Sequence, residues 1–424
     1  MHRKFGKDFI LVVIGQIISL FGNAILRFAL PLHLLRETNS PALFGLVTAC
    51  AFLPMIALSF LGGILADRVN KRNIMVILDF LTAGLLFTLL LSIGKFPLVP
   101  LLTVHLMLLY GISGVYQPTV QASIPALVAG EDVLSASAIV NQVGALAGLL
   151  GPILGGLLFG TVGLLPILAL SILCFTASAV MELFIHIPFE KRETPMGVLG
   201  IIRSDFRDSA HYMRREKPIL LRIIGLIALF NLVLTAMLIV GMPVLIVETL
   251  HLSDALLGFS QGILALGGLC GGIATALLGK RLQLSHSPTL LLLCSLSVGG
   301  MAIPLLLGMT VGVSYGVITA ACFAIMGLAT MFSVQMLAAV QTETPPELVG
   351  KVIALMLSVA LCAQPLGQAI YGVAFDLFSR HTGLILLCVS LLSGLISLAS
   401  RKTFKGMGAD RAYPGTSDSI HHMD

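Results

Sequence analysis

The fold of this 424-residue chain is decided by one stretch, Gly63-Ile-Leu-Ala-Asp-Arg-Val-Asn-Lys-Arg72. It forms a short basic link between two long apolar runs, 41–66 and 74–95. Apolar runs of about 20 residues match the roughly 30 Å of hydrocarbon in a bilayer. Basic residues in short links are retained on the cytoplasmic side. The stretch therefore predicts two transmembrane helices joined by a cytoplasmic loop.

The composition indicates a membrane protein. Hydrophobic residues make up 57% of the chain and charged residues only 11%, whereas about 25% of the residues in a typical soluble domain are charged. The mean hydropathy is +1.02, so too few charged residues are present to cover a soluble core. The seven cysteines lie in apolar runs without regular spacing. We interpret them as free, small apolar residues.

Apolar runs separated by charged or turn-rich breaks predict twelve transmembrane helices. Their approximate spans are 9–35, 41–66, 74–95, 98–124, 138–161, 163–187, 219–247, 255–279, 288–309, 312–338, 351–378 and 383–400. If the N-terminus is cytoplasmic, only Arg36, Lys95 and Arg380 fall outside, and Arg27 lies within a span. All other basic residues then lie inside, which predicts that both termini are cytoplasmic.

The two halves of the chain repeat. An offset of 212–213 residues relates Pro31 to Pro243 and Pro152 to Pro365. The predicted domains are therefore two parallel six-helix bundles with a linker and a tail. Their bounds are 1–187 for the N-terminal bundle, 188–218 for a cytoplasmic linker, 219–402 for the C-terminal bundle and 403–424 for a flexible cytoplasmic tail. The mixed charges of the linker favour a segment lying on anionic headgroups, and a regulatory or partner-binding segment is the alternative.

The opening stretch resembles the loop between helices 2 and 3 of the major facilitator superfamily of transporters. The residues that carry the resemblance are Gly63, Asp67, Arg68, Lys71 and Arg72. The resemblance implies an all-α membrane fold of twelve helices, and a loop that stabilises the outward-facing arrangement through charge contacts between helices 2 and 11. Asn70 stands where the family usually has Gly. Because Asn tolerates left-handed backbone angles, we expect a tight turn there.

Further motifs resemble one branch of this superfamily, the macrolide-efflux-type drug exporters. They are Gly15-Gln-Ile-Ile-Ser19 and Tyr116-Gln-Pro-Thr-Val-Gln-Ala-Ser-Ile-Pro125. In helix 5, Gly151-Pro152-Ile-Leu-Gly155-Gly156 resembles the superfamily's antiporter motif. Glycines let helix backbones approach closely, and proline permits a bend. The alternative is that this motif serves helix packing alone.

In this fold helices 1, 4, 7 and 10 are expected to line a central cavity, so polar residues on them are candidate substrate contacts. The candidates are Gln16, Asn23 and Arg27 in helix 1, Tyr110, Gln117 and Gln121 in helix 4, Asn231 and Thr235 in helix 7, and Met331 and Gln335 in helix 10. Those of helix 1 share one helix face. Hydrogen bonding between helices is the alternative for the amides, and extension to the outer headgroups is the alternative for Arg27.

Proton coupling requires an ionisable side chain that can change its charge when its surroundings change. The candidates are Asp79 in helix 3, His105 in helix 4, Glu182 in helix 6 and Asp376 in helix 11. Asp79 and Glu182 lie near the cytoplasmic ends of their helices. Ion pairs with loop cations are therefore the alternative prediction for these two carboxylates.

Together these features predict a bacterial secondary transporter of the cytoplasmic membrane, which exports small amphipathic compounds such as drugs by proton coupling. We expect no cofactor, no metal and no nucleic acid, and a monomer whose partners are substrate, protons or another ion, and lipids. The chain shows no G-x-x-x-x-G-K-[ST] nucleotide loop, and no span carries the clustered His, Asp or Glu of a membrane enzyme. Alternatives with the same fold are an exporter of a siderophore or metabolite and a lysophospholipid flippase.

Overall fold

The computed structural model of this chain describes residues 5–188, 207, 209–279 and 284–409. All regular structure in these residues is helical, and twelve helices are long and apolar enough to cross a membrane. The predicted all-α fold with twelve spans is thus confirmed. Most of the linker, residues 280–281 and most of the tail lie outside the described residues, as does the side chain of Asp67.

The helices follow the predicted order. They are α1 (Lys7–Thr38), α2 (Pro41–Arg68), α3 (Lys71–Ser92), α4 (Leu98–Leu127), α5 (Val133–Val162), α6 (Leu164–Glu182), α7 (Pro218–Thr249), α8 (Asp254–Leu278), α9 (Ser287–Leu306), α10 (Val311–Glu343), α11 (Pro346–Leu377) and α12 (Thr382–Ala409). Some, such as α10 and α12, extend beyond the predicted spans, whereas α6 and α9 end earlier. Short 3₁₀ turns at Gly130–Asp132, Leu284–His286 and Ser379–His381 precede α5, α9 and α12.

One helix, α7, is irregular. Its segments Asn231–Thr235 and Val244–Thr249 are π-helical. Such segments are rare and occur frequently at functional sites, because the wider turn displaces side chains from their regular positions. The first π segment contains both polar residues predicted to face the cavity from helix 7.

The first of two compact units comprises 1–205, 231–266 and 361–382. In it α2 packs along α4, α1 packs against α5 and α6, and α3 packs against α6. An apolar core in this unit joins residues of α1, α2, α3, α4 and α6, among them Leu30, Leu86, Leu102 and Phe175. In this unit α1 therefore contacts α5 and α6 most extensively, and it also contacts α2 and α4.

Within this unit α2 and α4 touch backbone to backbone. A Cβ on Gly62 would lie 2.8 Å from the Cα of Val115, and a Cβ on Gly114 would lie 2.6 Å from the carbonyl oxygen of Met55. Real Cβ atoms do not approach other atoms so closely. Glycine at both positions is therefore required for the observed spacing of these helices.

The second compact unit comprises 206–230, 267–360 and 383–424. Here α9 and α12 are joined by two reciprocal bonds, since Ser295 Oγ donates to the Ser390 carbonyl at 2.6 Å and Ser390 Oγ donates to the Ser295 carbonyl at 2.8 Å. At the start of α7, Lys217 Nζ lies 2.9 Å from a carboxylate oxygen of Glu343 at the end of α10. The division into repeated bundles at 1–187 and 219–402 stays a prediction.

The link between α2 and α3 uses Asn70 in a way that the sequence did not indicate. The link is tight, since only Val69 and Asn70 separate α2 from α3. The backbone angles of Asn70, φ −59° and ψ 117°, are not left-handed, so the left-handed conformation considered for it is wrong. The side-chain oxygen of Asn70 instead accepts a hydrogen bond from the Arg72 amide at 3.0 Å. Asn70 is thus the N-cap of α3, where Asn is among the preferred residues because it satisfies an amide left free by the first helical turn.

Replacing this cap should destabilise the protein measurably. Loss of an N-cap side chain typically costs about 0.5–2 kcal/mol, so Asn70→Ala should lower the unfolding temperature of the protein in detergent. Asn73→Ala is the matched control, because Asn73 is exposed within the first turns of the same helix. Equal unfolding temperatures for the two variants would contradict the capping role.

Candidate functional site

A cavity of about 380 Å³ lies among α1, α2, α4 and α5. Its wall consists of apolar side chains, neutral polar side chains and one cation. The lining residues are Leu20, Asn23, Ala24, Arg27, Met55, Ser59, Ser113, Gly114, Gln117, Pro118, Gly144, Ala147 and Gly148. Small-molecule sites usually measure about 300–1,000 Å³, so the cavity can hold a small organic compound.

Small residues on α5 leave the space that becomes this cavity. No atom lies within 4 Å of where a Cβ would stand on Gly144 or Gly148. One turn further along, Gly151 contacts α1 so closely that a Cβ would lie 2.3 Å from the Cβ of Ala24. The same helix therefore packs tightly on α1 at one level and leaves room beside it at the next.

Arg27 supplies the positive charge of the cavity wall. Its guanidinium carbon lies 4.3 Å from the centroid of the Tyr110 ring, which is buried and packs edge-on against Phe52 with a centroid distance of 5.2 Å. A cation over an aromatic face gains about 0.5–2 kcal/mol, so this stack fixes the guanidinium in place. None of the residues lining the cavity is acidic.

The structure brings together part of the set predicted from helices 1 and 4. Asn23, Arg27 and Gln117 line the cavity, and the ring of Tyr110 stacks with the Arg27 guanidinium. Asn23 also donates to the backbone carbonyl of Ser19 at 3.0 Å. These four predicted residues therefore lie at or beside one site.

Two other predicted residues on these helices bond to neighbouring side chains. Gln16 is fully buried, and its Nε2 donates to the Tyr116 hydroxyl at 2.9 Å. Gln121 donates to the side-chain oxygen of Asn141 at 3.2 Å. Neither is among the residues lining the described cavity, and Gln16 belongs to a buried polar cluster described below.

The candidates of helices 7 and 10 lie in different compact units. Asn231 and Thr235 occupy the π segment of α7 in the first unit. On α10, in the second unit, Met331 is half-buried, and Gln335 is buried with its Oε1 accepting from the Ser287 hydroxyl at 2.6 Å. A role for these four residues in substrate binding stays a prediction.

Two candidates for proton coupling have hydrogen bonds that fit a structural role. The Nδ1 of His105 lies 2.8 Å from the Leu101 carbonyl of its own helix. A carbonyl only accepts hydrogen bonds, so this nitrogen carries a proton. Asp376 accepts from the Ser40 hydroxyl at 3.3 Å in an exposed position. Neither residue lines the cavity.

The other two candidates, Asp79 and Glu182, are buried, with exposures of 2% and 0%. Among the described residues, no lysine or arginine nitrogen lies within 4.0 Å of either carboxylate. From the predicted basic loop, the guanidinium of Arg72 donates to the backbone carbonyls of Glu182 and Leu183. The basic loop thus holds the end of α6 through its main chain.

The glycines of the helix-5 motif face two partners. Gly155 contacts α1, since a Cβ there would lie 3.1 Å from the Phe28 ring. Gly156 contacts α8, since its Cβ would lie 2.4 Å from the Asp254 carbonyl oxygen, and a Cβ on Gly258 would lie 2.3 Å from the Pro152 carbonyl oxygen. The motif therefore packs α5 against both α1 and α8 within the first unit. The contact at Gly156 and Gly258 forms the α5–α8 seam.

Polar contacts accompany this seam at the helix ends predicted to be outside the cell. Arg36 at the end of α1 binds the carboxylate of Asp254 at the start of α8, with Nε and an Nη atom 3.0 and 2.7 Å from the same oxygen. Nearby in sequence, α2 and α11 meet where a Cβ on Gly45 would lie 2.7 Å from the Cα of Gly372. Helices from both halves of the chain are thus joined at these ends.

Comparison with known sequences decides the family. The sequence family described as Major Facilitator Superfamily matches residues 12–368. This chain belongs to the major facilitator superfamily. It is therefore a multi-pass cell-membrane transporter and not an enzyme, as the resemblance of the basic loop implied.

Similar members of the superfamily include bacterial exporters. The chain is 23% identical to macrolide efflux protein A of Streptococcus pyogenes over 418 residues, covering 93% of this chain and 97% of that protein. It is 27% identical to the enterobactin exporter EntS of Citrobacter koseri over 383 residues, covering 85% and 83%. The crystal structure of the nucleoside transporter NupG superimposes with a TM-score of 0.76 at 11% identity, covering 94% and 100%, which shows the shared fold.

Sequence reasoning missed several residues of this major facilitator protein that the structure brings into contact. Arg36 and Asp254 lie near helix ends on the same predicted side of the membrane, so their opposite charges could have indicated a pair. Ser19 lies one turn from Gln16, so the spacing could have indicated that both lie on the same face of α1. Tyr116 lies within a motif noted in the sequence, but nothing in the sequence indicated that it would bind Gln16.

Adding one methyl group at the α5–α8 seam should destabilise this transporter. Gly156→Ala would place a Cβ 2.4 Å from the Asp254 carbonyl, and overpacking of this kind costs about 1–3 kcal/mol. Gly160→Ala, one turn away, has its nearest neighbour at 3.8 Å and should be neutral or slightly stabilising, because Ala favours helix. Thermal unfolding in detergent compares the two, and an unaltered Gly156→Ala protein would contradict the seam.

Proposed function

We propose that this transporter exports small amphipathic compounds across the cytoplasmic membrane, and that a proton gradient drives the export. The observation that carries the proposal is the cavity among α1, α2, α4 and α5, whose wall is mostly apolar or neutral and polar. The efflux function named for its relatives from Streptococcus and Citrobacter supports the direction of transport.

The composition of the wall suits compounds that differ in shape. Met55 is flexible and polarisable, so it can adapt to different apolar surfaces. Asn23, Gln117 and Ser113 offer uncharged donors and acceptors beside it. Such a wall favours ligands with an apolar body and a few polar groups over ions or sugars, which need many directed hydrogen bonds.

Transport by alternating access requires contacts that form in one state and break in another. The bond between Arg36 and Asp254 is suited to this, because a partly exposed ion pair contributes about 0–1 kcal/mol and breaks at little cost. The side chain of Arg36 is 41% exposed. In the proposed cycle this contact and the Gly156–Gly258 seam close the outer ends, and the basic loop with Asp67, Arg68, Lys71 and Arg72 stabilises the opposite, outward-facing state.

The direct test uses everted membrane vesicles that contain the protein. An inward proton gradient is set up and followed with a pH-sensitive dye, and ethidium or erythromycin is then added. Export into the lumen in exchange for protons should raise the luminal pH, and the dye signal should recover. No recovery with either compound, in vesicles shown to contain folded protein, would contradict proton-coupled export of amphipathic compounds.

Filling the cavity should abolish most of this activity. At Gly148 a side chain meets no atom within 4 Å at the Cβ position and enters the cavity space, so Gly148→Leu should fold normally and block binding. Gly84→Leu is the matched control, since Gly84 is exposed on α3 and also has open space at its Cβ. Equal dye recovery for the two variants would place the substrate elsewhere.

A second candidate, export of an anionic siderophore, metabolite or lysophospholipid, is favoured by Arg27. The guanidinium is held at the cavity wall by Tyr110, and no acidic residue lines the cavity to neutralise it. A fixed positive charge attracts an anionic group and repels a cation. Arg27 would therefore bind the charged group of such a substrate while the apolar wall covers its body.

The charge of Arg27 can be tested with two probes of opposite sign. Arg27→Gln should weaken uptake of the anion anilinonaphthalene sulfonate into everted vesicles about 10-fold or more, because a hydrogen bond to a charged group contributes about 1.5–3 kcal/mol. Uptake of the cation ethidium should be unchanged or improved. Arg27→Lys keeps the charge but loses the planar fork, so it should recover part of the anion uptake. Equal effects on both probes would exclude charge recognition.

A further inference from the structure

A buried polar cluster lies beside α1 nearer to its N-terminus than the cavity residues do. Its members come from four helices that pack together in the first unit. They are Gln16 and Ser19 of α1, Asp79 of α3, Tyr116 of α4, and Ser178 and Glu182 of α6. All six side chains are at most 4% exposed, and none lines the cavity.

Hydrogen bonds connect the cluster in two branches. In one, Gln16 Nε2 donates to the Tyr116 hydroxyl at 2.9 Å, and that hydroxyl donates to Glu182 Oε1 at 2.8 Å. In the other, the Ser19 hydroxyl donates to Asp79 Oδ2 at 2.9 Å and lies 3.0 Å from the Ser178 hydroxyl. Both branches run between α1 and α6.

The two branches also meet at the backbone of α1. A Cβ on Gly15 would lie 3.4 Å from the Ser178 hydroxyl and 3.6 Å from Glu182 Oε1. The missing side chain at Gly15 therefore lets the carboxylate and the hydroxyl of α6 lie against the main chain of α1. The two carboxylates thus belong to one site and not to separate surface pairs.

The charges of this site are unbalanced. Asp79 and Glu182 are both acidic, and no lysine or arginine nitrogen within the described ranges lies within 4.0 Å of them. An ionised carboxylate removed from water without a partner is very costly, and two such groups close together disfavour each other's charge. A positive charge held at the cluster removes most of that cost.

Two buried atoms point to where that charge is held. Glu182 Oε2 and Gln16 Oε1 have no hydrogen-bond partner among the described residues, and both side chains are 0% exposed. Both side chains bond to the Tyr116 hydroxyl. A carboxylate oxygen and an amide oxygen are both acceptors, and a proton on Glu182 converts one of them into a donor.

We propose that Glu182, with Asp79, forms a proton-binding site that is separate from the cavity and holds its proton at Glu182 Oε2. Protonation forms one O–H bond and leaves the pair with a single negative charge, on Asp79, where Ser19 already donates to the carboxylate. Release returns the proton to water and restores two negative charges. Its use as the coupling site of export rests on the function proposed above.

The proton suits this site better than a metal ion. Calcium, for example, takes about 6–8 converging oxygen ligands, whereas Ser19 and Tyr116 already direct their hydroxyl hydrogens at the two carboxylates. The described residues contain no group of three His, Cys, Asp or Glu placed to hold a metal. A proton needs only one unpartnered oxygen.

Other charged groups around the cluster are few. From α3, the guanidinium of Arg72 binds backbone carbonyls at the end of α6. From α1, Asp8 accepts from the backbone amide of His186, just after α6. From α4, the phenol of Tyr116 donates to Glu182. The carboxylate pair is therefore the group whose protonation the experiment follows.

Infrared difference spectroscopy tests this without a substrate. Purified protein reconstituted in lipid is stepped from acidic to alkaline pH, and the carbonyl stretch of a protonated carboxylic acid is followed. We expect one titrating band in the wild type. Supplying isotope-labelled glutamate should move it to lower frequency, whereas labelled aspartate should not. This arm needs no variant and does not depend on folding of a mutant.

Variants then assign the residue. Glu182→Gln should abolish the band, and Asp79→Asn should keep it but change its titration midpoint, because interacting groups titrate as a pair. Glu131→Gln, at an exposed acidic residue before α5, and His186→Gln should leave both unchanged. A band that is absent from the wild type, insensitive to labelled glutamate or unaltered in Glu182→Gln would overturn the proposal.

A transport measurement separates failure of this site from failure of the proposed export. In proteoliposomes, Glu182→Gln should lose proton release driven by ethidium but keep ethidium counterflow, which moves no net proton. If the wild type shows the band but moves no ethidium, the proton site stands and the export proposal fails. If Glu182→Gln retains full proton release, Glu182 does not carry the coupled proton.

Discussion

Backbone contact between helices is the constraint on which the rest of this structure depends. In lipid no hydrophobic force draws helices together, so close packing must do so. Glycines allow it at several helix contacts, for example where Gly114 meets α2, Gly156 meets α8 and Gly45 meets Gly372. Since the main chains touch at these points, the spaces between them are fixed in size. The cavity lies beside the first of these contacts, and its shape follows from where the glycines are.

The same constraint divides the polar residues of α1 between two environments. A polar side chain within a span must face protein or a water-accessible cavity. Asn23 and Arg27 reach the cavity, while Gln16 and Ser19, about one to two turns away, reach α4 and α3. Helical periodicity predicts that Gln16, Asn23 and Arg27 share a face of α1. It does not predict which neighbouring helix or cavity that face contacts at each position along α1. The change of neighbour along the helix separates the binding wall from the buried cluster.

The sequence predicts the number of spans and the family, because length, hydropathy and the basic loop are local signals. It fails where the answer depends on a partner distant in the chain. Asn70 illustrates this at short range, since Asn suits both a left-handed turn and an N-cap, and only the position of the Arg72 amide decides between them. Glu182 illustrates it at long range. Its place near a helix end suggests pairing with a loop cation, yet Arg72 binds the adjacent main chain and Tyr116 binds the carboxylate.

The cavity and the buried cluster are adjacent through the main chain of α1. Asn23 lines the cavity and donates to the carbonyl of Ser19, while the hydroxyl of Ser19 donates to Asp79. A ligand shifts a conformational equilibrium only by binding its states unequally. If protonation of the cluster changes how tightly α6 and α3 hold Ser19, the position of Asn23 at the cavity changes with it. A bound substrate then acts in reverse on the proton by the same amount, because coupling between two sites is reciprocal. One turn of helix is thus sufficient to link the proposed substrate and proton sites.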